Sequence, residues 1–440
     1  MPHHPASAEL ARFLATNELH TDPAFIALAC TDWRKRYHTQ ALAVVRPHSV
    51  QMLCKLVQWC AHHQIPLTTQ GGNTGLVGGA VPALSLYQQR PHVVLQTTAL
   101  RDPIQIDEAN LTLTASAGYT LQEIQQAAES RGYLFPLSLA SEGSCTLGGN
   151  LASNAGGVAV LRYGNTRELC LGLEFVNAKG ELCGDLRGLR KNNTGYDLRH
   201  LLIGSEGTLG IITKACMKIF PQPTARVLAW VNLPSISSAV GLLKATQSRL
   251  FNELSSFEWM NAHALAVVKR QFDLPHPGEQ THAGCDHVLM EFTALCPQES
   301  LQAQVENTLA DLLENPAEEL QVLDIFIARN LQEAQQFWAL RENISEAQSR
   351  EGLNIKHDIA CKVSALPEFH SAVQSHLQQQ FPGIQPVLFG HLGDGNLHYT
   401  WPLPKIRIPP LTLPPIRKPY IRWCIGKCWL HKAPCLPNMV

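Results

Sequence analysis

The sequence has no stretch of 18 consecutive apolar residues, so it offers no candidate membrane-spanning helix. It has no surplus of one charge either. Its 35 Lys+Arg against 36 Asp+Glu give a formal net charge of −1, which excludes the broad basic footprint expected of a nucleic-acid binder. The start, Met1-Pro2-His3-His4-Pro5, lacks a basic segment followed by an apolar run, so no secretory signal is expected. The 13 cysteines are odd in number and contain no Cys-x-x-Cys pair, which fits reduced thiols better than a disulfide framework. Cytoplasmic residence is therefore expected, with peripheral membrane association left open. What is present is ample apolar material: 45% of 440 residues is enough for buried cores in two or three domains.

A polar, helical lead-in is read over residues 1–40, running on into Ala43-Val44-Val45-Arg46-Pro47. Helical spacing of Val50, Leu53, Leu56 and Val57 predicts a helix from Ser49 to about His63. Strands are predicted at 92–96 and 111–115, a helix at 121–128, and a hairpin at 173–183 around Asn177-Ala178-Lys179-Gly180. Pro221-Gln222-Pro223 marks a boundary, giving one domain over 41–221 and a second over 222–400. In the second, predicted strands at 227–231, 288–292 and 322–327 alternate with helices at 238–246, 299–313 and 331–349. That alternation reads as an α+β domain.

Three glycine clusters stand out in the first domain. Gly71, Gly72, Asn73, Thr74, Gly75, Leu76, Val77, Gly78 and Gly79 form one of them. Ser141 to Gly157 form a second, small-residue-rich cluster, and Gly204 to Thr213 a third. Glycine permits close approach of a ligand to the backbone, and successive N–H groups make an anion-binding concavity. The first cluster lacks the Lys-Ser/Thr of a phosphate-binding loop and is not a G-x-G-x-x-G dinucleotide fingerprint, so NAD is not expected. Any one cluster alone could be a surface turn; three within about 140 residues imply one extended nucleotide-like ligand.

The second domain carries two further patterns. Arg341 and Ser345 are four apart in the 331–349 helix and share a face, and Lys356 follows. Arg is suited to a carboxylate, although spacing alone favours a solvated helix face. In Gly390-His391-Leu392-Gly393-Asp394-Gly395-Asn396-Leu397-His398, two histidines flank a Gly-Asp-Gly turn that lets the chain double back. His391 and His398 could then face one divalent ion, zinc being suited to imidazole, or simply pack as polar core around a turn formed by Asp394.

Taken in this order, the three loops resemble the FAD-binding domain of the vanillyl-alcohol oxidase / p-cresol methylhydroxylase superfamily. Within it the chain is most similar to the FAD-linked D-2-hydroxyacid dehydrogenases, the group of the D-2-hydroxyglutarate and D-lactate dehydrogenases and the glycolate oxidase D subunit. The resemblance covers roughly residues 30–400. It implies an α+β fold: a two-subdomain FAD-binding domain of the p-cresol methylhydroxylase type, followed by a substrate domain of antiparallel sheet plus helices. It implies that Gly71, Gly72, Asn73, Thr74, Gly75, Gly78 and Gly79 wrap the FAD diphosphate. Ser144, Gly148, Gly149, Asn150, Asn154, Gly156 and Gly157 would line the isoalloxazine and ribityl region, with Gly207, Gly210 and Ile212 on the adenylate side. Arg341, Ser345, Lys356 and Asn396 would bind the substrate, and His391 and His398 a divalent metal, zinc being the expected one. The implied reaction takes a D-2-hydroxyacid to the 2-oxoacid by hydride transfer to flavin. Electrons would go to a separate acceptor of the electron-transfer flavoprotein, quinone or cytochrome class, and a homodimer is left open. An oxygen-using oxidase of the same superfamily, or a non-catalytic flavoprotein subunit of a hydroxyacid oxidase, are the alternatives.

Residues 401–440 depart from all of this. They hold nine of the 28 prolines, seven Lys/Arg and no acidic residue. The group's later Glu-His-Gly motif, which would supply a third metal ligand and the general base, is missing, so no catalytic base is assigned. The departure begins at Thr400, where the group usually has Asn. It points to an altered reading frame or a degenerate C-terminus, with a small zinc knot of Cys424, Cys428, His431 and Cys435 as the competing reading. The expectation is a chain that binds FAD and turns over poorly.

Overall fold

The computed structural model describes residues 5–82, 91–315, 320–352 and 354–402. The Pro-rich tail beyond Pro402, with its cysteines and His431, lies outside the described residues. Two compact units result: Met1–Gly157 with Tyr163–Gln222, and Val158–Arg162 with Pro223–Val440. Among the described residues no helix is long and apolar enough to cross a membrane. The ten cysteines among them are free thiols.

The first unit begins with a four-stranded sheet in the order Leu19–His20, Ala43–Val45, Val93–Gln96, Leu67–Gln70. The last three strands run parallel. Ala43-Val44-Val45 and Val93-Val94-Leu95 are fully buried, as a parallel sheet covered on both faces requires. The crossover between Ala43–Val45 and Leu67–Gln70 is the helix Val50–His62. Ser49 caps it by accepting from the Met52 N–H at 3.2 Å, and Leu53, Leu56, Val57 and Cys60 form its buried stripe. The lead-in is not merely helical, because Leu19–His20 pairs antiparallel with Ala43–Val45.

A five-stranded antiparallel sheet follows, ordered Gln105–Asp107, Thr112–Ser116, Ile211–Lys218, Cys170–Val176, Leu182–Asp185. The last two strands form the expected hairpin. The helix Leu121–Glu129 covers it, started by a capping box between Thr120 and Glu123. A short strand pair, Tyr133–Leu134 with Phe220–Pro221, completes the unit.

The second unit is one seven-stranded sheet, every neighbour antiparallel. Its order is Asp324–Ile327, Ala225–Leu233, Asp286–Ala294, Leu254–Met260, Val387–His391, Asn396–Pro402, Asn354–Ala360. Ile236–Leu250, Gln298–Glu314 and Leu366–Gln380 pack on one face, against Phe257, Trp259, Met290 and Phe292. Ala262–Phe272, Leu331–Glu342 and Ile344–Glu351 pack on the other, against Trp230, Met260, Leu289 and Phe389. The central strand Leu254–Met260 is buried at all seven positions and alternates between the two cores, so Glu258 shares the face of Met260.

Two sequence expectations need correction. The single helix over 331–349 is two helices. It breaks at Asn343, whose side-chain amide and backbone N–H both donate to the Ala339 carbonyl, at 2.8 and 3.1 Å. The Ser141–Gly157 stretch is not all loop. Thr146 accepts from the Gly149 N–H at 3.3 Å and starts a short helix, Leu147–Ala152.

Phe257 is 1% exposed at the centre of the larger core. Phe257→Ala is expected to cost about 3–5 kcal/mol, read as a lowered urea midpoint.

Candidate functional site

In the first unit the three glycine clusters converge. The first loop leaves the carboxyl end of the parallel strand Leu67–Gln70, where open α/β sheets place their ligands. Gln70, 1% exposed, closes it by donating to the carbonyls of Ala29 (2.9 Å) and Ala80 (2.8 Å). Its own carbonyl oxygen accepts from Gln96 at 2.7 Å. The loop then lies on the second cluster. A Cβ on Gly71 would sit 2.4 Å from Thr146 Oγ1, and one on Gly72 only 1.8 Å from the Ser144 carbonyl oxygen. The third cluster locks onto both: the Gly204 and Glu206 N–H groups donate to Leu151 and Ala152 at 3.0 and 2.9 Å. A Cβ on Gly79 would lie 3.0 Å from a Glu206 carboxylate oxygen, and one on Gly207 3.4 Å from Thr69.

Not every residue of the three clusters faces open space. Asn73 donates to the Thr31 carbonyl at 2.9 Å, and Asn150, buried, donates to Cys145 Sγ at 3.6 Å. Asn154 adopts φ 49° and accepts from the Arg167 N–H at 3.0 Å. Gly78, Gly148, Gly157 and Gly210 pack closely on Tyr37, Ala117, Ser138 and Phe175. The Ile212 side chain is part of the core. Thr74 is half-buried, whereas Ser144 and Gly156 are exposed. At Gly75 an added Cβ would meet nothing within 4 Å. The result is nearly bare main chain, open at Gly75, that a long phosphorylated ligand can approach closely.

In the second unit a polar cluster stands on the sheet face shared with Met260 and Phe389. Strand register puts Glu258 opposite His391, Phe389 opposite His398, His398 opposite Asp358, and Lys356 opposite Thr400. The Gly-Asp-Gly turn does double the chain back, through a tight turn at Leu392–Asp394 and Gly395 at φ 81°. The His391 and His398 rings are 5.7 Å apart between centroids and nearly perpendicular at 81°.

Each histidine has a carboxylate on its Nδ1. His391 Nδ1 lies 2.6 Å from Glu258 Oε1, and His398 Nδ1 lies 3.2 Å from Asp358 Oδ1. An ionised carboxylate only accepts, so Nδ1 carries the proton and, in a neutral ring, Nε2 carries the lone pair. Glu258 Oε2 also accepts from Arg341 Nε at 2.8 Å and forms an ion pair with Arg341 Nη2 at 2.7 Å. The Arg341 guanidinium lies 4.7 Å over the Phe389 ring. Asn396 Nδ2 donates to Asp358 Oδ1 at 2.7 Å and to the Ile359 carbonyl at 3.1 Å, so the amide nitrogen is committed to the fold.

Burial would raise the Glu258 carboxyl, but the charges and hydrogen bonds of His391 and Arg341 override it and bring it to about 2. Burial would lower His391, but Glu258 overrides it and holds that imidazole above its ordinary value. His398 is lowered, burial prevailing over the pull of Asp358. Asp358 is lowered, its burial offset by His398 and Asn396. Burial pushes Asp394 up to about 6.

Of the residues singled out from sequence, Arg341, Lys356, Asn396, His391 and His398 belong to elements that meet here. Ser345 is exposed on the first turn of the second helix, beyond the break, and does not share the buried face of Arg341. Glu258 and Asp358 were missed. The signal for Glu258 was a lone acid inside the apolar run Phe257-Glu258-Trp259-Met260. A histidine whose Nδ1 is held by a carboxylate is the usual form of a metal ligand, so the pair fits half of a zinc site. An open site needs about three protein ligands, and among the described residues no group of three His, Cys, Asp or Glu is placed to hold an ion.

Residues 41–184 match the FAD binding domain family, and residues 222–403 match the C-terminal domain of FAD linked oxidases. The chain is 36% identical over 396 residues to a D-2-hydroxyglutarate dehydrogenase of Xanthomonas citri pv. viticola, covering 90% of this chain and 80% of that one. It is 34% identical over 378 residues to the mitochondrial D-2-hydroxyglutarate dehydrogenase of Rattus norvegicus, covering 86% and 68%. Among solved structures, p-cresol methylhydroxylase with substrate bound is similar at a TM-score of 0.67 and 16% identity, over 90% of this chain and 82% of that one. At that identity the likeness is one of fold, and it agrees with the expected p-cresol methylhydroxylase type. The bare-backbone cradle fits FAD.

Two outcomes are expected. Gly72→Ala drives a Cβ into the Ser144 carbonyl and separates two of the loops, so the purified protein should lose FAD, read as the ratio of flavin to protein absorbance. Glu258→Ala leaves Arg341 buried without its partner and should cost about 3–5 kcal/mol in chemical denaturation. The Glu258 carboxyl falls from 4.5 to about 2 on folding, so its stabilisation is fully present above pH 4.5 and is lost as pH drops toward 2. An acid titration of wild type against the variant should show the gap between them closing over that window.

Proposed function

The chain belongs to the family of FAD-linked D-2-hydroxyacid dehydrogenases, and from that premise we propose that it oxidises a D-2-hydroxyacid of the D-2-hydroxyglutarate class to the 2-oxoacid, with a separate electron-transfer flavoprotein, quinone or cytochrome as electron acceptor. The observation that carries this reading is the buried Arg341 fork standing on the same sheet face as the two carboxylate-anchored histidines.

Arg341 gives its Nε hydrogen to Glu258 and holds Nη2 2.7 Å from the same oxygen, and its remaining N–H groups would bind an incoming carboxylate. Lys356, on the same face by register with Thr400, supplies a second cation. Two cations match a dicarboxylic 2-hydroxyacid better than D-lactate, which has one carboxylate. The Asn396 side-chain carbonyl oxygen, its Nδ2 committed to Asp358, accepts from the substrate hydroxyl. His398, with its Nδ1 proton on Asp358, keeps its Nε2 lone pair for a metal ion. FAD, when bound in the glycine cradle, supplies the hydride acceptor. A divalent metal held by His391 and His398 would supply a Lewis acid.

Because the Glu-His-Gly stretch is missing, slow multiple turnover is expected, and the test is a single-turnover one. Under anaerobic conditions, D-2-hydroxyglutarate should bleach the bound flavin and yield an equal amount of 2-oxoglutarate, more completely than D-lactate does. Arg341→Ala should weaken that substrate's apparent affinity on the order of ten- to a hundred-fold. A flavin that no D-2-hydroxyacid reduces, with or without added zinc, would refute the reading.

A further inference from the structure

Arg341 and His391 come from different elements, the last turn of the helix Leu331–Glu342 and the end of the strand Val387–His391. One carboxylate joins them. Glu258 has no solvent exposure, and it divides its two oxygens between them: Oε2 on Arg341 Nε and Nη2 at 2.8 and 2.7 Å, Oε1 on His391 Nδ1 at 2.6 Å. We propose that Glu258 is the positioning residue of the substrate site: it ties the anion-binding arginine of the helix and the imidazole of the sheet into one rigid frame. The role rests on Arg341 being the substrate's carboxylate clamp.

Packing alone does not call for an acid here. The rest of the strand Leu254–Met260 is apolar or serine, and a buried charge is costly unless fully paired. Apolar side chains in place of the whole Glu258–Arg341 pair would fill the same space at less cost. What an apolar residue cannot do is hold a long arginine in one rotamer. Arg341 has several free torsions, and the Nε bond and ion pair to Oε2, with the Phe389 ring beneath, select one. With its Nε edge taken, the fork is left pointing in a single direction.

Asp358 does a comparable thing for His398 and Asn396, but those lie on strands whose register with its own strand, His398 opposite Asp358 and Asn396 opposite Ala360, already fixes their spacing. Glu258 instead spans from sheet to helix, where no backbone ladder sets the distance. The frame should therefore fail first at Glu258.

The test uses the FAD-loaded full chain and 2-oxoglutarate as probe, its dissociation constant read from the perturbation of flavin absorbance. Glu258→Gln, Arg341→Ala, His391→Ala and the two double variants with Glu258→Gln are compared, each checked for flavin content and melting temperature. Glu258→Gln should weaken binding on the order of ten- to a hundred-fold, the cost of a misplaced clamp. Adding it to Arg341→Ala should change binding by no more than about twofold, because Glu258 acts through that residue. Its cycle with His391→Ala should be non-additive as well. Glu258→Asp keeps the charge but is one methylene too short for both partners. It carries the same expectation should Glu258→Gln not fold.

Removing a negative charge beside the clamp would, on electrostatics alone, tighten an anion. A folded, flavin-loaded Glu258→Gln that binds 2-oxoglutarate as well as or better than wild type therefore overturns the proposal, and so do strictly additive cycles. If Arg341→Ala itself leaves binding unchanged, the carboxylate-clamp reading fails, and the role of Glu258 falls with it.

Discussion

A carboxylate without solvent cannot remain ionised in a protein core unless its partners are held in place. Glu258 meets that condition with a guanidinium on one oxygen and an imidazole on the other. The constraint runs in both directions. The charge on Glu258 requires Arg341 and His391 to stay, and their geometry is set by the acid they serve. The second unit's polar face, with Lys356, Asp358, Asn396 and His398 in register around the same strands, is arranged about this triple.

The two units reach a binding surface by opposite means. In the first, side chains are removed: Gly71, Gly72 and Gly79 let three loops lie against one another where a Cβ would collide or crowd, and what remains is backbone. In the second, side chains are added and locked, each polar atom fixed by another. A large cofactor is gripped along its length by main chain that tolerates no extra atoms. A small acid needs few contacts, each pointing in one direction, and those need supports behind them.

Much of the first unit was legible along the chain. The apolar spacing of Val50 to Val57 predicted the helix that is present, and the clustering of glycine predicted three loops that the fold brings together. Less of the second unit was. Its strands at Leu254–Met260, Asn354–Ala360, Val387–His391 and Asn396–Pro402 were not read as a sheet, because strands buried on both faces, or carrying site residues, lack clean alternation. Arg341 was found by its type and its resemblance to a family, while Glu258, 83 positions away, was not. Ser345 was placed beside Arg341 by counting four residues along a helix that in fact breaks at Asn343.

The order of residues by itself determined what depends on local physics. Glycine-rich loops must admit a close ligand, Ser49 and Thr120 start helices through their own side chains, and Gly395 turns the chain between two histidines. Only tertiary structure decided which acid stands behind which base. Pairing Glu258 with Arg341 and His391, or Asp358 with His398, requires strands and a helix distant in sequence to be neighbours in space. The energy that selects those partners is the cost of burying charge, which exists only once the core has closed.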